Sequence, residues 1–81
     1  MTGKVDRVYC FFFDDAKEGE TIPAIDFGDG MATPLLTTKM RIAGMLRRHA
    51  QRVANEKRRA VRLVMFYGRE EIETFEPEPE K

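Results

Sequence analysis

Two segments of this 81-residue chain carry apolar side chains on both faces of a strand, whereas only one segment has helical spacing. The two strand-like segments run from Val5 to Phe13 and from Ala60 to Tyr67. Strands that are apolar on both faces are typical of the centre of a sheet that is covered on both sides. A single helix covers only one side, so the other face of this sheet needs a different cover or stays open.

The helical segment begins after Thr33-Pro34, a pair that resembles an N-cap followed by proline at the first helical position. Its apolar residues fall within an arc of about 120° at 100° per residue. We therefore predict one amphipathic helix over residues 34–57. The apolar stripe consists of Leu35, Leu36, Ile42, Ala43, Leu46, Ala50, Val53 and Ala54.

Two weaker segments complete the predicted sheet. Thr21–Phe27 is predicted to be an edge strand because Pro23 cannot donate to a central ladder. Glu71–Phe75 alternates and is predicted to be a short charged edge. The predicted fold is α+β: a small β-β-α-β-β domain with one amphipathic helix packed on one face of a four-stranded mixed sheet. The two apolar strands are expected side by side, joined by a right-handed crossover.

Residues 1–75 are predicted to form a single domain, and residues 76–81 a disordered acidic tail. An apolar face that one helix leaves open exceeds the patch that monomers usually expose, which favours a homodimer through that open sheet face or another hydrophobic partner. The alternative is a strongly curled sheet whose remaining face is covered by the loop of residues 28–33.

Composition argues against several classes of protein. The only cysteine, Cys10, excludes an internal disulfide and is expected to be a buried structural thiol. Charged residues near the start and a longest apolar run of six residues predict neither a signal peptide nor a membrane span, and therefore a cytoplasmic protein.

Few residues are suited to catalysis. The only histidine, His49, is expected at the margin of the apolar stripe, and the chain contains no serine. The acidic residues between Asp14 and Asp29 match no calcium loop and are typical of turns, although a metal-dependent enzyme at these loops stays a remote alternative. We therefore predict a protein that is not an enzyme and uses no cofactor or metal.

Charge is the one feature that indicates a partner. Residues 39–62 contain nine Lys or Arg residues and one acidic residue, Glu56, whereas the segments on either side are net acidic and the whole chain is neutral. On the helical wheel Arg41, Arg48, Arg52 and Arg59 share a narrow row opposite the apolar stripe. If the helix extends to Arg59, this row is about 27 Å long.

Two functions are compatible with this row. The first is a small adaptor or regulatory module that docks an acidic protein surface through its basic helix. The alternative is a nucleic-acid-binding accessory protein whose arginines contact phosphates. The neutral charge and the absence of an accompanying aromatic platform favour the first. The predicted contact residues are Arg41, Arg47, Arg48, Arg52, Arg58 and Arg59.

Overall fold

The computed structural model describes residues 3–79 and consists of one helix and six strands. The elements are β1 (Arg7–Asp15), β2 (Gly19–Thr21), β3 (Ala24–Asp26), β4 (Ala32–Pro34), β5 (Leu36–Thr37), α1 (Met40–Lys57) and β6 (Val61–Tyr67). A four-stranded sheet contains β1, β2, β5 and β6, and β3 pairs with β4 in a separate hairpin. The predicted α+β class, with one helix against a sheet of several strands, is confirmed.

β1 is the central strand because it pairs with every other strand of the main sheet. β6 lies along one side, in a register that places Arg7 opposite Tyr67 and Phe13 opposite Val61. On the other side, β5 pairs with the first half of β1 and β2 with its last residues. Both sides of the strand are therefore occupied, in agreement with its apolar sequence.

The core lies between β1 and α1. Phe11 is 3 % exposed and packs with Leu35, Ala50 and Val53, and Leu35 is fully buried. The buried helical residues follow the spacing of an amphipathic helix, which explains why the sequence alone locates this face. Phe13 follows Phe11 on the same face of β1, and the Lys57 ammonium lies 5.1 Å from the centre of its ring.

The helix begins six residues later than predicted, at Met40 instead of Pro34. Residues 35–37 are held by strand hydrogen bonds: Phe11 donates to the Leu35 carbonyl over 3.0 Å, and Leu35 donates to the Pro23 carbonyl over 2.9 Å. These bonds hold Leu35 in the core with an extended backbone. Helix formation starts only at Lys39, whose carbonyl accepts the Ala43 N–H.

The direction of β6 also differs from the prediction. The prediction of a parallel crossover between the two apolar strands is wrong, because β6 pairs with β1 antiparallel. β5 already runs antiparallel to β1, and α1 carries the chain back to the end at which β1 finishes. All pairs in the described sheets are antiparallel.

The helix ends at Arg58, which adopts a left-handed conformation with φ 55° and ψ 41° and donates its N–H to the Ala54 carbonyl. This conformation strains a residue that has a Cβ, and glycine is the residue that avoids the strain. We expect Arg58→Gly to raise the free energy of unfolding by about 0.5–1 kcal/mol. Urea unfolding measures the change, with Arg58→Ala as the control that removes the same charge and keeps the Cβ. Equal stability of the two variants would contradict the expectation.

The sheet face opposite α1 carries no helix in residues 3–79. The predicted alternative cover, residues 28–33, is wrong: the neighbouring Phe27 ring packs edge-on against His49 of α1, at 5.0 Å between centroids, so this loop is on the helix side. On the open face the rings of Phe12 and Phe66 meet at 5.9 Å. The two rings meet diagonally across the pair formed by Cys10 and Val64. The Cys10 side chain is buried, as predicted. Burial raises the pKa of this thiol.

The predicted strand over Glu71–Phe75 does not form, since residues 68–79 contain no helix or strand. Gly68 extends the ladder by donating to the Asp6 carbonyl, and Arg69 then contacts the Val5 carbonyl and pairs with Glu71. These contacts direct the chain past the beginning of β1 and not back along β6. In the predicted acidic tail, residues 76–79 are exposed and contain no helix or strand, and Glu80 and Lys81 lie outside the described part of the chain.

Candidate functional site

Three of the predicted contact residues share the outer face of α1. Arg41, Arg48 and Arg52 are exposed and lie opposite the buried stripe of Ala43, Ala50 and Val53. The first and last of these arginines are separated by about 16 Å along the helix axis. Met45 lies within the same row on the helical wheel and is 60 % exposed. The outer face therefore combines guanidinium groups with one unbranched apolar side chain.

Arg47 lies at the side of this row. It borders an open cleft of about 330 Å³ between α1 and β6, where its neighbours include Gln51, Val61 and Leu63. We call the exposed side chains of Arg41, Arg47, Arg48 and Arg52 the arginine face. All four come from a single rigid element, so their spacing is fixed by the helix.

The remaining two predicted contact residues do not continue the row. Arg58 occupies the left-handed position that ends the helix, and Arg59 follows it outside the helical geometry. The Arg59 guanidinium donates to the Asp14 carbonyl over 3.0 Å, which fastens it to the end of β1. The predicted four-arginine row is therefore wrong at its C-terminal end and consists of three arginines.

The arginine face has no acidic partner in residues 3–79, in contrast to Arg62 and Arg69. Arg62 of β6 pairs with Asp14 at 3.0 Å and with Glu20 at 2.8 Å, and Arg69 pairs with Glu71. Hydrogen bonds from Arg62 hold the pKa of Asp14 below its usual range, and the two carboxylates raise the pKa of Arg62. Within residues 3–79 no ion pair involves the arginine face, and Glu56 of the same helix pairs with none of its members.

Two of the carboxylates in the predicted acidic loops accept two backbone N–H groups each in turns. Asp15 accepts the backbone N–H groups of Lys17 and Glu18, and Asp26 accepts those of Gly28 and Gly30. These hydrogen bonds lower the pKa of both aspartates. Gly28 and Gly30 have φ values of 103° and 78°, which glycine adopts without strain. Within the described range, no group of three or more His, Cys, Asp or Glu side chains is placed to hold a metal ion.

His49 is half-buried at the margin of the apolar stripe, as its spacing predicts. Its ring packs against Phe27, and its Nδ1 atom is buried without a hydrogen-bond partner in the described structure. A general base needs a group that it can deprotonate within hydrogen-bonding distance. The surroundings of His49 are those of a packing residue.

A second surface was missed by the sequence interpretation. β6 is an edge strand, since no strand of residues 3–79 other than β1 pairs with it. Its side chains on the helix side are only partly covered: Leu63, Met65 and Tyr67 are 39 %, 51 % and 72 % exposed. The signal was present in the seven-residue strand, which is apolar except for Arg62. It was missed because the predicted strand over Glu71–Phe75 was expected to form the edge of the sheet.

No helix in the described residues combines the length and apolar composition needed to cross a membrane. In comparisons with known proteins, no protein-family model, no curated protein and no solved structure matches this chain.

Proposed function

We propose that this protein is a small non-enzymatic binding module that docks an acidic protein surface through the arginine face of α1. The observation that carries the proposal is the set of exposed arginines on one helix, none of which forms an ion pair within residues 3–79. Guanidinium groups bind carboxylates through paired, charge-assisted hydrogen bonds. An acidic partner would supply the negative charges that the arginine face lacks within residues 3–79.

Met45 favours a protein partner over a nucleic acid. It lies among Arg41, Arg48 and Arg52 and exposes an adaptable apolar side chain. Methionine and arginine are both enriched in the buried centre of protein–protein interfaces. A phosphate backbone offers nothing apolar for this side chain, and three arginines over about 16 Å provide few phosphate contacts. Arg58, at the end of the helix, belongs to the edge of the proposed docking surface.

The proposed docking is tested with two labelled probes of similar charge: a peptide of Glu-Glu-Leu repeats and a short DNA duplex. We expect the peptide to bind the protein, and Arg48→Glu/Arg52→Glu to weaken that binding by about tenfold or more, because both substitutions place like charges in the contact. Lys4→Glu/Lys17→Glu makes the same charge change away from the helix and should alter the affinity by less than about threefold. Fluorescence anisotropy measures both at about 0.15 M salt.

The apolar contribution separates the two classes of partner. Met45→Ala should weaken peptide binding and leave any binding of the duplex unchanged. Absence of peptide binding at low salt would refute the docking proposal. Tighter binding of the duplex than of the peptide, with no effect of Met45→Ala, would replace it by phosphate recognition.

We also propose that a second copy of this chain is a partner, as the sequence predicts for an open sheet face. Support comes from Leu36 and Phe66 on that face, which remain 41 % and 51 % exposed. The packing of Phe12 on Phe66 already reduces the uncovered area, so the face is smaller than the sequence suggests.

A further inference from the structure

The free edge of β6 has backbone groups that point away from the sheet. Phe11 donates its N–H to Leu35, on the side of β1 opposite β6. Its neighbour in β6, Leu63, therefore belongs to a pair that is not hydrogen-bonded, and the Leu63 N–H and C=O point towards the free edge. Gly68 supports the same alternation, since it donates inward to Asp6.

The alternation fixes which residues are available for pairing. Every second residue of β6, namely Val61, Leu63, Met65 and Tyr67, directs its N–H and C=O outward. These residues also carry the side chains on the helix side of the sheet. Unpaired edges of this length and apolar composition are templates for another strand, and β6 contains no proline or lysine that would discourage pairing.

We propose that β6 is the subunit interface of a homodimer, in which two β6 strands pair antiparallel about Val64 and join the two sheets into one eight-stranded sheet. The inference rests on the proposed self-association and places it at the strand edge instead of the open face.

The register follows from the alternation. Outward-pointing residues must face one another to form hydrogen bonds, so only pairings of odd-numbered with odd-numbered residues are allowed. Among these, the register centred on Val64 is the one that pairs all four outward residues, Val61 with Tyr67 and Leu63 with Met65 in both directions. Each such pair exchanges two hydrogen bonds, which gives about eight across the interface. The same parity places both helices on one side of the joined sheet.

The side chains and charges are compatible with this register. Leu63, Met65 and Tyr67 of the two copies would form one apolar strip between the helices, next to the cleft that Arg47 borders. The only charged residue of the strand, Arg62, would lie opposite Phe66 of the second copy and not opposite another arginine.

A cross-link tests the register directly. In the proposed dimer the two Val64 residues form a pair that is not hydrogen-bonded, with Cα atoms about 4.5 Å apart, a separation that a disulfide can span. In a Cys10→Ala background, Val64→Cys should therefore link two chains under mild oxidation. Leu36→Cys in the same background lies on the open face, on the other side of β1, and should not. The products are separated by non-reducing electrophoresis.

A second pair of variants tests the interface without a cross-link. Met65→Pro removes an outward N–H and leaves the ladder to β1 intact, so it should give a folded monomer by circular dichroism and sedimentation. Met65→Lys should do the same if proline disturbs folding. Leu36→Asp should leave the dimer unchanged.

The outcomes distinguish a dimer whose interface lies elsewhere from a protein that does not self-associate. A wild-type protein that sediments as a monomer at all concentrations, with no cross-link through Val64→Cys, would refute both. A dimer that persists in Met65→Pro and Met65→Lys but is lost in Leu36→Asp would refute the interface at β6 and would place it on the open face.

Discussion

Phe11→Ala is expected to lower the free energy of unfolding by about 3–5 kcal/mol, because it removes the ring at the centre of the only described cluster of buried residues. Phe11 is 3 % exposed and contacts the helix and the segment before β5 at once. A chain of this size has a total stability of about 4–12 kcal/mol. The variant should therefore be largely unfolded at physiological temperature or melt at least about 12 °C below the wild type.

The matched control for this change is Phe75→Ala. Phe75 is 83 % exposed and lies in the segment that contains no helix or strand, so its loss should change the stability by less than about 0.5 kcal/mol. Urea unfolding followed by circular dichroism measures both. A loss below about 1 kcal/mol for Phe11→Ala would show that the core does not centre on this ring.

The elements that could be predicted from sequence are those whose periodicity is long and local. β1 is apolar on both faces over six consecutive residues, and the interior of α1 repeats its buried positions over several turns. Such patterns indicate which side chains are buried, because the backbone period fixes the face on which each side chain lies. The partly buried position of His49 and the burial of Cys10 followed for the same reason.

The beginning of the helix could not be predicted because the contacts that keep residues 35 and 36 out of the helix come from distant parts of the sequence. Thr33-Pro34 has the local chemistry of a helix start, but Leu35 and Leu36 are held extended by hydrogen bonds and pairing with β1, more than twenty residues earlier in the chain. A two-residue strand has no period to detect. The antiparallel direction of β6 follows from β5 and α1 together, since α1 returns the chain to the end at which β1 finishes.

The candidate site was predictable only as far as the helix extends. Arg41, Arg48 and Arg52 share a face because of helical spacing alone, whereas Arg59 leaves the row because the chain turns at Arg58 and the Asp14 carbonyl is nearby. The lack of acidic partners around the arginine face and the free edge of β6 depend on the whole fold. Neither is encoded in the spacing of neighbouring residues.

Val53→Asp is the second substitution with a large expected effect, since it places a carboxylate between α1 and β1. Val53 is 4 % exposed and packs in the cluster with Phe11 and Leu35. The substitution loses apolar burial and leaves a charge without a partner, which together should cost more than about 4 kcal/mol at neutral pH. Asn55→Asp adds the same charge to an exposed position of the same helix and keeps the oxygen that accepts from Gln51, so it should cost less than about 1 kcal/mol.

The pH dependence separates burial of charge from loss of packing. Burial would raise the pKa of Asp at position 53 above its unfolded value of about 3.9, so its penalty is complete above the folded pKa and declines as the pH falls. The wild type changes in the opposite sense, because Asp14, Asp15 and Asp26 have lowered pKa values and stabilise the fold less as acid protonates them. The difference in stability between the two proteins should therefore narrow from pH 7 to about pH 4. A difference that stays constant over this range would assign the whole loss to packing, and a comparable loss in Asn55→Asp would assign it to charge on the helix.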